Sequence, residues 1–307
     1  MAGRVRAILI AGPTASGKSA LAVRLAQRLG GIVVNADSMQ VYRDLRILTA
    51  RPTEEEEAAA PHRLFGHVDA AVNHSVGEWI REAGPALDDV WQQGRLPIVT
   101  GGTGLYFKAL TEGLSRIPAV PEDVRAAVRA ASEGVPAEAL HDDLRIRDPA
   151  TAATLRPTDR QRIVRALEVF AATGRPLVSF HGEREGRLLD LAGAAAIFLS
   201  PEREVVYSRI DARFDAMMSL GALEEVSALA RRDLDPALPC MRAHGVPWLI
   251  RALDGEMALP EAIERAKLDT RHYAKRQYTW FRHQAAGWTW AGPEEAEQMV
   301  LARMQAT

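Results

Sequence analysis

The chain has 307 residues, 47% of them hydrophobic and 25% charged, with a formal net charge of -2. That length suits one large α/β domain or two smaller ones, and the composition excludes a disordered or collagen-like chain. No apolar run approaches the roughly 20 residues of a membrane helix, no leader pattern opens the chain, and the single cysteine, Cys240, has no partner for a disulfide or a zinc pair. The expectation is a soluble cytoplasmic monomer with no membrane partner. A charge near zero counts only weakly against nucleic acid, because a sum does not say where the charges sit.

In chain order, Val5–Ile10 reads as a buried strand and 11–19 as a small-residue loop. The next stretch predicts a helix, with Leu21, Leu25 and Leu29 four apart and Gly30 at its C-terminal cap. Ile32–Val34 predicts a second strand, and the acidic, alanine-rich Thr53–Ala60 a solvated helix. Glu78–Gln93 predicts a helix that Gly84-Pro85 should bend or interrupt, followed by a strand over Leu96–Thr100. Strands alternating with helices imply a parallel sheet with right-handed crossovers. From about Ser115 to Gly193 strand-like runs vanish, and helical stretches appear, broken at Pro118, Pro121, Pro136, Pro149 and Pro157. A strand pattern returns over Ala194–Ser200, with helices after it. The expected organisation is an α/β core over residues 1–115 and 194–307, interrupted by a helical insertion over 116–193 that packs with it.

Gly12-Pro13-Thr14-Ala15-Ser16-Gly17-Lys18-Ser19 fits G-x-x-x-x-G-K-[ST] between a predicted strand and a predicted helix. Glycines let backbone N–H groups wrap a phosphate, and the helix N-terminus adds partial positive charge. Lys18 would neutralise the terminal phosphate, and the Ser19 hydroxyl would ligate Mg²⁺. The fold class is therefore α/β, a P-loop NTPase-like parallel sheet flanked by helices with an inserted helical domain. A nucleotide hydrolase would next show an apolar strand ending in Asp, but Leu96–Thr100 runs into Gly101-Gly102-Thr103-Gly104. The acid that directly follows a strand near the loop is Asp37. It sits where ligands bind in open α/β sheets, and a helix cap or solvated acid is the alternative role. The eight histidines lack metal-ligand spacing, so His62 and His67 read as structural or loop residues.

Further segments fall in a characteristic order: DSMQVYR from Asp37, TARPT from Thr49, PHRL from Pro61, GGTGLYFKAL from Gly101, QRIVRALEVF from Gln161, RFDAM from Arg213 and AKRQYTWFR from Ala274. With the P-loop, they make the chain resemble the bacterial tRNA dimethylallyltransferases, also called tRNA isopentenyltransferases, over nearly its whole length. The resemblance implies transfer of a dimethylallyl group from dimethylallyl diphosphate to N6 of an adenosine. The target lies 3′-adjacent to the anticodon in tRNAs reading U-initial codons, and the product is N6-dimethylallyladenosine. It also implies that residues Gly12 to Ser19 hold a diphosphate rather than ATP, which accounts for the missing strand-end acid. An exocyclic adenine amine is a weak nucleophile, so Asp37 would accept its proton as general base. Lys18, Ser19 with Mg²⁺ and the loop amides would stabilise the leaving diphosphate. Arg213 matches a family arginine on the diphosphate; from the residues alone it reads as a helix arginine paired with Asp211 or Asp215. Thr103 matches a threonine near the reacting nucleotide, with a plain glycine-loop threonine as the alternative.

The same resemblance sets Asp37, Ser38, Met39, Gln40 and Thr103 against the tRNA anticodon stem-loop, together with Arg125 and the segment Gln161, Arg162, Ile163, Val164 and Arg165. Thr158 and Gln161 predict a capping box opening a helix that runs to Thr173-Gly174, with Ile163, Leu167 and Phe170 as its apolar stripe. An exposed salt-bridged helix is the alternative, with Asp159 and Glu168 as its acids. In Lys267–His283, Arg271, Lys275 and Arg282 share a face suited to phosphates, while Tyr278, Trp280 and Phe281 are assigned to the core. The loop Met241–Trp248 departs from the family's Gly-Tyr-Arg or Gly-Tyr-Lys, leaving Arg242 and His244 as its polar groups. The target adenine would have to leave its stack to reach the sheet rim, with the helical insertion clamping the stem-loop. A small-molecule or nucleoside kinase using ATP at the same loop, or an RNA-binding NTP switch, are the competing readings.

Overall fold

The computed structural model describes residues 5–182 and 184–305. Alternation along the first strand sets its layering. β1 (Ala7–Ala11) contributes Ile8 and Ile10 to one apolar cluster and Ala7, Leu9 and Ala11 to the other, all fully buried. α1 (Lys18–Leu29) covers the Ile8 face with Leu21, Ala22, Leu25 and Ala26, and Gly30 closes it in the left-handed conformation at φ 65°. After β2 (Ile32–Asn35), the exposed α2 (Glu54–Ala59) opens on a capping box between Thr53 and Glu56.

β3 (His62–Arg63) leads to α3 (Val76–Gln92), which buries Trp79, Ala83, Leu87 and Val90. Of the expected bend or interruption at Gly84-Pro85, the interruption does not occur: α3 runs on through Pro85. Arg81, whose carbonyl loses its donor there, and Pro85 are both exposed, so water can replace the missing bond. β4 (Pro97–Gly101) and α4 (Gly104–Glu112) follow.

The chain then forms a second compact unit, Glu112–Arg187. It contains β5 (Leu114–Ser115), α5 (Glu122–Ser132), α6 (Ala137–Arg147), α7 (Pro149–Ala152), α8 (Arg160–Thr173) and β6 (Arg184–Glu185). β5 and β6 pair antiparallel; two-residue strands carry no readable periodicity, and sequence patterning missed them. The unit has its own core, in which Leu140, Leu144, Ile163, Ala166 and Leu167 meet. Asp159, not Thr158, caps α8 by accepting from the Arg162 N–H; Gly174 ends it at φ 65°.

The first unit resumes at Leu188, not after Gly193. The Leu188 and Leu189 N–H groups both donate to the Leu110 carbonyl, and Leu189 is buried in the first unit's core. β7 (Ala194–Leu199), α9 (Arg203–Ser219), α10 (Ala222–Ala230), α11 (Val246–Leu253), α12 (Leu259–Gln284), β8 (Thr289–Ala291) and α13 (Ala296–Gln305) complete it. The six strands run parallel in the order β3-β2-β4-β1-β7-β8. α1 and α13 cover one face; α3, α4 and the α9–α12 layer cover the other. No helix among the described residues is long and apolar enough to cross a membrane.

Trp79 stacks on Tyr106 at 4.4 Å and donates from Nε1 to the Asn35 carbonyl at 3.0 Å, joining α3 to the end of β2. Trp79→Ala is expected to cost about 3–5 kcal/mol in urea unfolding. A loss below about 1 kcal/mol would contradict that packing role.

Candidate active site

The register Ala11↔Gly101 and Asn35↔Thr100 ends β1, β4 and β2 at one edge of the sheet. The loops that leave these strands therefore share a rim. In the first loop Ala15 and Gly17 take positive φ, 62° and 90°. A left-handed alanine costs energy that surrounding structure must offset, and here it turns the loop into the N-terminus of α1. Among the described residues the Gly17, Lys18 and Ser19 amides have no acceptor, as expected for a first helical turn. Ser16 Oγ is buried without a partner.

Among the described residues, Lys18 of this loop and Arg213 beside it form no ion pair with a carboxylate. Lys18 Nζ reaches only the Pro13 carbonyl, at 3.2 Å. Burial pushes its ammonium down to about 8; Asp37 opposes that shift and Arg213 reinforces it. Arg213, on α9, donates to Thr14 Oγ1, and burial pushes its guanidinium down against the pull of Asp37. The acids beside it in sequence are used elsewhere: Asp211 pairs with Arg271 at 2.8 Å and Asp215 with Lys267 at 2.8 Å. Two half-buried cations against one nearby acid leave a deficit of negative charge, the condition for holding an anion.

Asp37 is held through its backbone. Its N–H donates to Asn35 Oδ1 at 2.8 Å, and Asn35 Nδ2 donates back to the Asp37 carbonyl at 3.0 Å. Asn35 is fully buried, and sequence reading passed over it. Asp37 Oδ1 accepts from the Met39 N–H at 2.9 Å, while Oδ2 has no hydrogen-bond partner among the described residues. Thr103 Oγ1 accepts from the Ser38 N–H at 2.9 Å and donates to Ser38 Oγ at 3.2 Å, so it fixes the turn after Asp37. Gly102 and Gly104 permit close approach: an added Cβ would lie 2.2 Å from Gln277 Nε2 and 2.2 Å from the Trp280 ring respectively.

Two cavities meet at this rim. The smaller, about 190 Å³, places Thr14, Asp37, Arg213 and His244 beside Leu48, Ile210, Phe214 and Met217. The larger, about 750 Å³, contains the loop from Thr14 to Ala20 with Arg46, Arg51 and Arg209. Tyr273 and Gln277 of α12, neither singled out from sequence, reach this region; burial, reinforced by Asp37, raises the Tyr273 phenol above its usual range. The only early signal for them was their place within or beside the segment from Ala274. Burial also lowers His244, which lies against Tyr273 with ring centres 4.6 Å apart.

The expected RNA contacts divide. Gln161 and Arg162 are exposed on α8, Val164 is half-buried against that unit's core, and Ile163 is fully buried there. The Ile163 side chain therefore packs the core and is not an RNA contact. Arg162 pairs with Asp159, and Arg165 shares the buried Glu168 with Arg129. Arg125 pairs with Glu122 at 2.6 Å. Gln40 spends its amide N–H groups on the Thr49 and Ala50 carbonyls, and half-buried Met39 packs against the first unit's core. Arg271 is tied to Asp211, so the expected row with Lys275 and Arg282 is incomplete. Among the described residues, Arg242, Lys275 and Arg276 are exposed with no ion-pair partner; Lys275 and Arg276 line a shallow groove with His272, Thr279 and Trp280. Phe281 is buried and Tyr278 and Trp280 are half-buried, as expected of core aromatics.

One trio has ligand-like geometry. His67 and His74 Nε2 both lie on Glu82 Oε2, at 2.9 and 3.1 Å. His74 Nδ1 is buried without a partner. Metal on Nε2 would move the proton to Nδ1 and leave a buried N–H without an acceptor. The trio is a hydrogen-bonded brace between the loop and α3.

An unsatisfied anion cradle facing a free carboxylate oxygen across a partly apolar cavity is an arrangement suited to group transfer from a phosphorylated donor. Comparison with known proteins gives the family. A sequence model described as IPP transferase matches residues 40–284, and one described as isopentenyl transferase matches residues 5–68. The tRNA dimethylallyltransferase of Methylocella silvestris is 62% identical over 98% of this chain and 99% of its own. The crystal structure of the tRNA isopentenylpyrophosphate transferase of Bacillus halodurans superposes with TM-score 0.70 at 35% identity, covering 99% and 98% of the two chains. A eukaryotic dimethylallyltransferase, described as acting on tRNA, gives TM-score 0.71 at 30% identity over 90% of this chain and 69% of its own. The chain belongs to the tRNA dimethylallyltransferase family.

A diphosphate beside Lys18 would restore the ammonium that burial disfavours. At pH 8, binding of inorganic diphosphate to the wild type should take up about half a proton more than binding to Lys18→Arg, whose side chain stays charged. Titration calorimetry in buffers of different ionisation enthalpy measures this; equal proton uptake would contradict the assignment.

Proposed function

We propose that this protein transfers the dimethylallyl group of dimethylallyl diphosphate to N6 of the adenosine 3′-adjacent to the anticodon in tRNAs reading U-initial codons. The observation that carries this reading is the pairing, at one rim, of a cation-rich P-loop with a carboxylate that has one oxygen free. Apolar Leu48, Ile210, Phe214 and Met217 suit the five-carbon group, and Lys18, Arg213 and the α1 amides suit its diphosphate. The adenine, out of its stack, presents N6 to Asp37. As the new N–C bond forms, the C–O bond to diphosphate breaks, Asp37 takes one N6 proton, and the departing oxygens meet Lys18 and Arg213.

Ser19 fits a magnesium ion. Its hydroxyl lies in the first turn of α1 with no hydrogen-bond partner among the described residues, and Mg²⁺ commonly takes one or two protein oxygens plus phosphate and water. The ion would neutralise charge on the diphosphate. Thr103, Ser38 and Arg242 would border the nucleotide. Lys275, Arg276 and Gln161, with Arg162, Arg165 and Arg125 once released from their acids, would meet RNA phosphates. The setting is cytoplasmic and the protein acts as a monomer.

Incubation with unmodified tRNA and labelled dimethylallyl diphosphate should place label in the tRNA without ATP. Absence of label, with ATP-dependent phosphate transfer instead, would establish the kinase reading. Replacing both Lys275 and Arg276 by Gln should weaken tRNA binding and lower the salt slope by about 2. An unchanged slope would move the RNA face off α12.

A further inference from the structure

Gln277 is 4% exposed and projects from α12 between two loops that lie 263 and 175 residues away in sequence. Its Oε1 accepts from the Thr14 N–H at 2.9 Å, and its Nε2 donates to the Gly102 carbonyl at 2.9 Å. Both partners are backbone groups, so the amide fixes main-chain positions rather than adjustable side chains. Thr14 is also the residue whose hydroxyl receives the Arg213 guanidinium. Gly102 lies between the Gln277 amide and the base: a Cβ there would stand 2.2 Å from Gln277 Nε2 and 3.3 Å from Asp37 Oδ2.

We propose that Gln277 is a positioning residue for the transfer, setting the spacing between the diphosphate cradle and Asp37 by bonding the P-loop to the loop after β4. This rests on the transferase reading given above. Orbital alignment between an amine and a carbon losing its leaving group tolerates little displacement, and the two loops have no other hydrogen bond between them among the described residues. The donor–acceptor pattern is specific to a primary amide. Leu and Met supply neither function, and an ionised Glu accepts from Thr14 but cannot donate to Gly102. By capturing the Thr14 N–H, Gln277 also leaves the diphosphate to the α1 amides, Lys18 and Arg213.

Three measurements on Gln277→Met test this: affinity for inorganic diphosphate by calorimetry, affinity for tRNA, and single-turnover transfer normalised to the folded fraction. The expected result is at least about a tenfold loss in both diphosphate affinity and single-turnover rate, with tRNA affinity within about twofold of wild type. Diphosphate affinity and rate both within about twofold of wild type would overturn the proposal, as would a matching loss of tRNA affinity, which marks a general packing defect. Should Gln277→Met fail to fold, Gln277→Glu serves: it keeps the Thr14 bond, and wild-type behaviour in it would equally overturn the proposal. Diphosphate binding is read without prenyl transfer, so a wild type that binds diphosphate but labels no tRNA would fault the function and not Gln277.

Discussion

The parallel pairing of β4 with β1 on one side and β2 on the other governs the site. Its register ends the three strands level, at Ala11, Asn35 and Gly101, so three loops open at one edge. The ladder continues one residue further through the Ala36 N–H to the Thr100 carbonyl at 2.7 Å, and Asp37 is the next residue. Parallel strands place their following loops on the same rim by construction. A shift of one residue in this register would turn each strand's side chains to the opposite face and separate the base from the cradle.

Charge at the rim is deliberately left unbalanced by how neighbouring acids are spent. Asp211 and Asp215 flank Arg213 in sequence, yet each is bound to a basic residue of α12. Those pairs anchor α9 to α12 and free Arg213 to lean on Thr14. Lys18 likewise forms no ion pair among the described residues, and burial depresses its ammonium against the pull of Asp37. A diphosphate bound there, as proposed, would supply the missing charge. α12 thus serves several partners: Lys267 and Arg271 bind Asp215 and Asp211, Gln277 bonds the two loops, and Lys275 and Arg276 are exposed to solvent.

Local features were legible in the sequence because their chemistry is local. The P-loop, the Gly30 and Gly174 helix ends and the strands β1, β2, β4 and β7 follow from spacing over a few residues. Asp37 was legible from its place after a strand. Asn35, Tyr273 and Gln277 were not, because burial and partners far along the chain give a buried amide or phenol its meaning. The Gly102 and Gly104 requirement is likewise set by Gln277 and Trp280, not by the turn itself. Basic residues misled where acids from other elements claimed them, as at Arg271, and Ile163 misled because a motif shared with a family says nothing about which of its side chains face inward. The near-neutral total charge hides the same division: many arginines are paired with acids, while Arg242, Lys275 and Arg276 are exposed with no ion-pair partner among the described residues.

The central claim is that Asp37, held by Asn35 with one oxygen free, removes the N6 proton as the alkyl group transfers. Single-turnover transfer by Asp37→Asn, with tRNA and dimethylallyl diphosphate both prebound, tests it most directly. The expected rate is lower by about 10²–10⁴ with both affinities retained. A single-turnover rate equal to wild type would contradict it.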